Sequence, residues 1–327
     1  GYMNTSIKIS KNQLSDFLLK FLKKNGVKHV FLMTGGAISF TVDAFSRVKG
    51  IKYICVKHEQ SAAMMADAYS RVTNFKNIGV TMCTSGPGAT NLITGICCSW
   101  FDCIPTIHIS GQVNLKEQRN KINKSFGCRQ VGFQETDIVS ITKSITKESI
   151  MIKNAEKFKS QLKHIWNKSI SGKKGPVLID IPLNLQRERL SNVKESDYKL
   201  INKIEYNRPV LLKKIKKLIE LINSHEKLSI VVGGGIRLSN SEKEFQIFKK
   251  NVQAPIFTTW SGFDLINYND KNYFNTVGVY GHRHANISLQ NSDLIIFLGS
   301  RVDTRITGGN IRNFCNNSKI ILIDIDQ

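Results

Sequence analysis

One carboxylate stands where an α/β chain tends to place its chemistry. Residues 51–73 open with an apolar, β-prone run, Tyr53-Ile54-Cys55-Val56, and continue into strong helix formers from Ser61 to Tyr69. Lys57, His58 and Glu59 fall at the seam, and ligands of open α/β sheets bind beyond the strand ends. Glu59 there is either an N-terminal helix cap or, once desolvated, a group that holds or moves a proton. A second cluster, Thr84-Ser85-Gly86-Pro87-Gly88-Ala89-Thr90-Asn91, follows the apolar run at 78–83. It is not a P-loop, because no Gly-Lys-Ser/Thr follows its glycines. Gly35-Gly36 lies between another strand-like run (29–33) and a helical one, where glycines let a ligand approach the backbone. His282 and His284 read as surface residues rather than metal ligands.

These residues need a scaffold of alternating strands and helices. Leu14, Phe17, Leu18, Phe21 and Leu22 trace one face of a helix over 10–25, closed by Gly26. Strands are expected at 29–33, 53–56 (buried), 78–83, 104–111 and 175–182, with a helix at 155–169. After a polar stretch, a second unit carries a helix at 211–222 and strands at 228–232, 256–260, 294–299 and 319–326. The fold class is α/β, with two doubly wound parallel-sheet domains. Gly233-Gly234-Gly235 lacks the GxGxxG spacing and an acidic ribose partner, which argues against NAD.

With 41% hydrophobic and 22% charged residues the composition is that of a globular protein, while a net charge of +22 is unusually basic. The lysines are scattered in pairs on helix faces, which reads as a solvated surface and not as a nucleic-acid site. Seven cysteines without a CxxC pair fit a reducing, cytoplasmic setting. No apolar run is long enough to span a bilayer, and no membrane partner is expected.

His58-Glu59-Gln60 with Met65-Ala66-Asp67-Ala68-Tyr69-Ser70-Arg71 resembles the H-E-Q…A-D-G-Y-A-R segment of thiamine-diphosphate (ThDP) enzymes of the acetolactate-synthase-like group. Thr84 to Asn91 matches that group's T-S-G-P-G-A-T-N throughout, and 104–111, Phe133-Gln134-Glu135 and Ile145-Thr146-Lys147 match further motifs. The segment from Gly299 to Gly308 resembles a central-domain motif that holds FAD in members carrying a flavin. The resemblance implies a ThDP pyrimidine-binding domain (1–187), a linker (188–208) and a central Rossmann-like domain (209–327). It further implies a third domain, missing from this chain, that binds the diphosphate through Mg²⁺. A fragment is preferred over a split subunit.

By the same resemblance Glu59 is the catalytic carboxylate at the cofactor's aminopyrimidine ring, promoting loss of the C2 proton, and Gln134 lies near the reacting carbon. Gly35, Gly36, Ala37, Pro87 and Asn91 shape the ThDP pocket, while Gly234, Arg301, Asp303 and Arg305 would contact FAD. The implied activity is a carboligase or decarboxylase acting on a 2-keto acid such as pyruvate, in a homodimer or tetramer whose sites span subunits. A lyase of another 2-keto acid and a non-catalytic subunit are the alternatives. Lys173-Lys174, Leu183 and Asn184 depart from the synthases' G-R-P-G-P-V and V-P-K-D-I-Q, weakening the case for FAD. Thr34 and Arg129-Gln130 resemble relatives from surface-sugar pathways, which leaves a keto-sugar open as acceptor.

Overall fold

The computed structural model describes residues 12–119, 127–200 and 206–326, in two compact units, Gly1–Lys203 and Ile204–Gln327. In the first, β1 (His29–Leu32), β2 (Lys52–Cys55), β3 (Gly79–Cys83), β4 (Thr106–Gln112), β5 (Glu148–Met151) and β6 (Pro176–Pro182) form one sheet. Its order is β2-β1-β3-β4-β6-β5, and every pairing is parallel. The inner strands β3, β4 and β6 are buried along their whole length, because helices cover both faces of a parallel sheet. Residues 53–56, expected as a buried strand, form an exposed edge instead: β2 pairs only with β1, and Tyr53 is 50% exposed. Strand β5 at the opposite edge had no sequence signal.

The helix Leu14–Lys24 buries Leu14, Phe17, Leu18, Phe21 and Leu22 as its spacing requires, and Leu19 and Asp16 as well. Asp16 is neutralised by Arg47, 2.8 Å away. Residues 155–169 divide into a short 3₁₀ turn, Ala155–Lys157, and the helix Phe158–Ile170. Part of the stretch expected to link the domains packs on this unit: Leu190 and Tyr198 are buried, and Tyr198 stacks on Phe17 at 4.9 Å. Residues 201–205 of that stretch lie outside the described residues.

The helix Glu59–Val72 sits on the sheet through its smallest side chains. A Cβ at Gly79 of β3 would lie 1.9 Å from the Ala66 carbonyl oxygen. One at Gly95, on the neighbouring helix Ile93–Phe101, would lie 2.3 Å from the Ala63 Cβ. Polar contacts reinforce this fit. Ser70 Oγ accepts from Gly79 N (2.8 Å) and donates to the Pro105 carbonyl (2.7 Å), while Ser99 Oγ donates to Asp67 (2.8 Å).

In the second unit, β7 (Leu228–Val232), β8 (Ile256–Thr258), β9 (Tyr273–Thr276), β10 (Leu294–Leu298) and β11 (Lys319–Ile323) are ordered β11-β10-β7-β8-β9. All pairings are parallel. Ile230, Val232, Ile256, Leu294 and Ile296 face one core; Val231, Phe257, Ile295 and Phe297 face another. Such alternation across one sheet makes a layered sandwich. Strand β9 was unexpected from sequence. No helix among the described residues is long and apolar enough to cross a membrane.

His108 lies fully buried on β4, its Nδ1 2.8 Å from Thr81 Oγ1 and its Nε2 2.9 Å from Thr106 Oγ1. Burial lowers its pKa from 6.5 to about 3, so the folded state holds the ring neutral. The unfolded chain therefore binds a proton first as pH falls. The resulting stability is fully present above about pH 6.5 and is lost on acidification towards pH 3, at up to about 1.4 kcal/mol per pH unit. Urea unfolding of wild type and His108→Gln at pH 7 and pH 5 should show a smaller acid loss in the variant; equal losses would contradict this assignment.

Candidate active site

Strand order locates a crevice before any side chain is considered. In the first unit the chain runs from β1 outward to β2, then returns to β3 and proceeds the other way, so the order reverses between β1 and β3. Connections leave opposite faces of the sheet there, and the gap beyond the strand C-termini is a natural ligand site. Gly35-Gly36 follows β1, Glu59 follows β2 and Thr84 to Asn91 follow β3, so all three segments converge at this end.

Glu59 is the first residue of its helix and only 6% exposed. The cap is His58, whose Nδ1 accepts from the Gln60 backbone N–H at 3.1 Å. Glu59 is therefore not the N-cap. Its Oε2 accepts from Asn91 Nδ2 at 2.9 Å, across to the end of the short helix Pro87–Thr90. Among the described residues its Oε1 has no hydrogen-bond donor. The helix N-terminus favours the anion at this point.

Glycines keep the space around it. A Cβ at Gly35 would lie 2.5 Å from Thr84 Cβ, and one at Gly88 would lie 2.8 Å from Thr84 Cγ2 and 3.4 Å from Glu59 Oε1. Thr84 itself, which sequence reasoning did not single out, joins the two loops by accepting from the Ala37 N–H at 3.1 Å. Gln186, fully buried, is a second such residue. It donates to the carbonyls of Ala37 (2.6 Å) and Ile181 (3.0 Å), and its Oε1 accepts from Thr41 N and Oγ1. A buried glutamine with all its bonds made fixes a loop firmly. Spacing alone could not reveal it, because its partners are 145 or more residues away, save Ile181.

The turn of Gln134 packs against the loop that follows β3. Gln134 adopts a positive φ of 56°, and a Cβ on Gly86 would lie 2.7 Å from its carbonyl oxygen. Its side chain is exposed. Glu135, next to it, accepts from the N–H groups of Val131 and Gly132, both at 3.1 Å, and so holds the turn. By contrast Asp67 and Arg71 of the second half-motif serve architecture: they pair at 2.6 Å, and Arg71 reaches Asp102 at 2.8 Å.

The departures at Lys173-Lys174 fall elsewhere. These residues precede β6, at the strand end opposite to Glu59, where Lys174 lies over the Phe75 ring. Leu183 and Asn184 do follow β6 at the crevice end, and Asn184 Oδ1 accepts from the Leu115 N–H at 3.0 Å.

The second unit repeats the geometry, reversing between β7 and β10. Gly233-Gly234-Gly235 follows β7, and Gly299 to Arg305 follow β10. A Cβ at Gly235 would lie 2.6 Å from Gly299 Cα, and one at Gly234 2.9 Å from Ser261 Cβ. Asp303 caps the short helix Thr304–Thr307 and pairs with Arg301 at 3.0 Å. Arg305 lies 4.4 Å over Trp260, with Tyr280 at 5.8 Å. His282 and His284 are exposed, and among the described residues no cluster of three or more ligating side chains could hold a metal.

Comparison with known proteins agrees with both units. Residues 12–141 match the family described as thiamine pyrophosphate enzyme, N-terminal TPP binding domain. Residues 215–327 match its central domain. The chain is 34% identical over 319 residues to the acetolactate synthase large subunit of Buchnera aphidicola subsp. Schizaphis graminum, covering 95% of this chain and 52% of that protein. The corresponding subunit of Haemophilus influenzae is 34% identical over 314 residues, with the same coverages of 95% and 52%. The chloroplastic acetolactate synthase 2 of Nicotiana tabacum is 32% identical over 315 residues (96% of this chain, 45% of that protein). The chain thus spans about half the length of the curated relatives it matches.

The bond from Asn91 is the one side-chain hydrogen bond to Glu59 among the described residues. Asn91→Leu, similar in size and unable to donate, should lower stability by about 1.5–3 kcal/mol, the usual cost of losing a bond to a charged group. The urea midpoint reads this; an unchanged midpoint would mean the bond contributes nothing in solution.

Proposed function

Because the chain belongs to the thiamine pyrophosphate enzyme family, carrying its N-terminal and central domains, we propose that it forms the aminopyrimidine-holding part of a ThDP enzyme acting on a 2-keto acid. Pyruvate is the expected donor, by likeness to the acetolactate synthases. One observation carries the reading: a carboxylate buried at a topological switch point, anchored through Oε2 by Asn91 and open at Oε1. The residues present fit the cofactor, since Gly88 keeps a side chain out of the space beside that oxygen.

Bound thiamine diphosphate supplies a carbon nucleophile and an electron sink for decarboxylation. Glu59 would accept a hydrogen bond from the pyrimidine ring nitrogen through Oε1, its charge stabilising a protonated ring. Asn91 holds that carboxylate in one orientation, and the fold leaves it only 6% exposed. A charge in such a place acts at low dielectric, where it is worth more than in water. Gln134, presented by its positive-φ turn, is positioned to orient the substrate. The diphosphate and its Mg²⁺ require a further domain, in cis or in trans. The acceptor is a second keto acid or a keto-sugar, and product analysis distinguishes the two. Should FAD bind, Gly234, Arg301, Asp303 and Arg305 are the residues that would contact it, with the Arg301–Asp303 pair opening to do so.

Glu59→Gln tests the reading in the protein completed by a diphosphate-binding domain. Glutamine can still accept from Asn91, so the fold should persist. Exchange of the cofactor C2 proton should slow by about 10²–10⁴-fold, the usual scale for a general acid–base group. Unchanged exchange with a lowered melting temperature would instead make Glu59 a structural residue. Separately, the completed wild-type protein should purify with little flavin absorbance; a stoichiometric yellow protein would show that the loss of polarity at Leu183 does not matter.

A further inference from the structure

A second buried acid lies behind the turn that carries Gln134. Asp180, in the interior of β6, is 1% exposed. Ser110 Oγ donates to its Oδ1 at 2.6 Å, and Gln112 Nε2 donates to its Oδ2 at 2.9 Å, both from the adjacent strand β4. The other amide proton of Gln112 goes to the Thr136 carbonyl, also at 2.9 Å, while Gln112 Oε1 accepts from the Val113 N–H at 3.0 Å. The amide is thereby fixed at three points, and its link to the turn is aimed from the sheet. Thr136 is two residues from Gln134, and its hydroxyl donates back to the Gln134 carbonyl at 3.3 Å.

We propose that Asp180 is a positioning residue of this site, whose buried carboxyl fixes, through Gln112, the turn that presents Gln134. The proposal rests on the role given to Gln134 above and extends it. A buried carboxyl with no catalytic contact is costly to keep unless its bonds do structural work, and here both go to the strand that faces the turn. Apolar residues at these places would pack as well but would remove the bond from the sheet to the Thr136 carbonyl, leaving it only the local Ile138 N–H. Glu135 also holds the turn, through Val131 and Gly132 within it and through the Arg119 N–H on the segment after β4, whereas Gln112 is the side chain that joins it to β4 itself.

The ionisable neighbours of Asp180 are Asp137, at the start of the helix Ile138–Thr142, and Cys83 on β3, which also feels Glu59. Burial, and to a smaller extent Asp137, raises the Asp180 pKa to about 7 against the opposing bonds from Ser110 and Gln112. The anchor survives protonation, because a proton on Oδ1 can be given to Ser110 Oγ while Oδ2 still accepts from Gln112. For the same reason asparagine can replace aspartate here, and leucine cannot.

The test follows amide hydrogen exchange in the present chain. The N–H groups of Val131, Gly132, Glu135 and Ile138 are hydrogen-bonded in the turn and its exit. In Asp180→Leu and in Gln112→Leu they should exchange about tenfold faster or more, matching the loss of one strong bond. The helix Leu14–Lys24 should be unchanged in both. Asp180→Asn should exchange as wild type, and the double Leu variant no faster than either single one. Unaltered turn exchange in Gln112→Leu, or acceleration spread equally over the unit, would overturn the proposal. In the completed enzyme the two Leu variants should lose about 10–100-fold in kcat, with Asp180→Asn restoring it. Faster exchange with full turnover would leave the anchor standing and sink the role given to Gln134.

Discussion

The candidate site depends on how closely the helix Glu59–Val72 can approach its neighbours. Its first residue carries the carboxylate, so the helix's depth and rotation decide where that charge sits. Glycine at 79 lets the Ala66 carbonyl rest against β3, and glycine at 95 lets Ala63 meet the next helix. Methyl groups at either place would overlap existing atoms by more than an ångström, and the helix would have to rise off the sheet. The bonds of Ser70 and Asp67 then stop it sliding along its own axis. Rigid elements of this kind hold a reactive group better than a loop can.

Around that fixed point the loops are held from below. Thr84 joins the β1 and β3 loops, Gln186 ties the Gly35–Ala37 segment to the end of β6, and Gln112 reaches from β4 to the turn of Gln134. Each of these side chains is polar and wholly or largely buried, and both glutamines have their amide bonds made. Low dielectric strengthens such satisfied networks and penalises broken ones. The crevice is therefore shaped by the sheet beneath it as much as by the residues that line it.

Both units obey one rule of parallel sheets, in which loops at a reversal of strand order diverge and leave room. Glycines stand at each reversal: Gly35 in the first unit makes room for the Thr84 side chain, and in the second Gly233 and Gly235 let backbone approach the Gly299 backbone. The second unit adds aromatic cover, Arg305 over Trp260.

Much of this was legible in the chain. Apolar runs located the inner strands, since a strand covered on both faces must be apolar or internally bonded. The loop from Thr84 to Asn91 and the position of Glu59 showed themselves because their chemistry is local, a turn followed by a helix start. Edge strands did not: Glu148 to Met151 and Tyr273 to Thr276 are half-buried and mixed in character, and β2 looked buried although one side is open. Position across the sheet was equally hidden. Lys173-Lys174 stands in sequence close to Leu183, yet a strand of seven residues separates them, about 20 Å along the sheet at the usual rise. Sequence by itself determined which residues could do chemistry and that strands and helices alternate. Only the tertiary structure decided which of them meet, that His58 and not Glu59 caps the helix, and that Asp180, Gln112 and Gln186 brace the site, because those contacts join strands and loops whose separation along the chain carries no local signal.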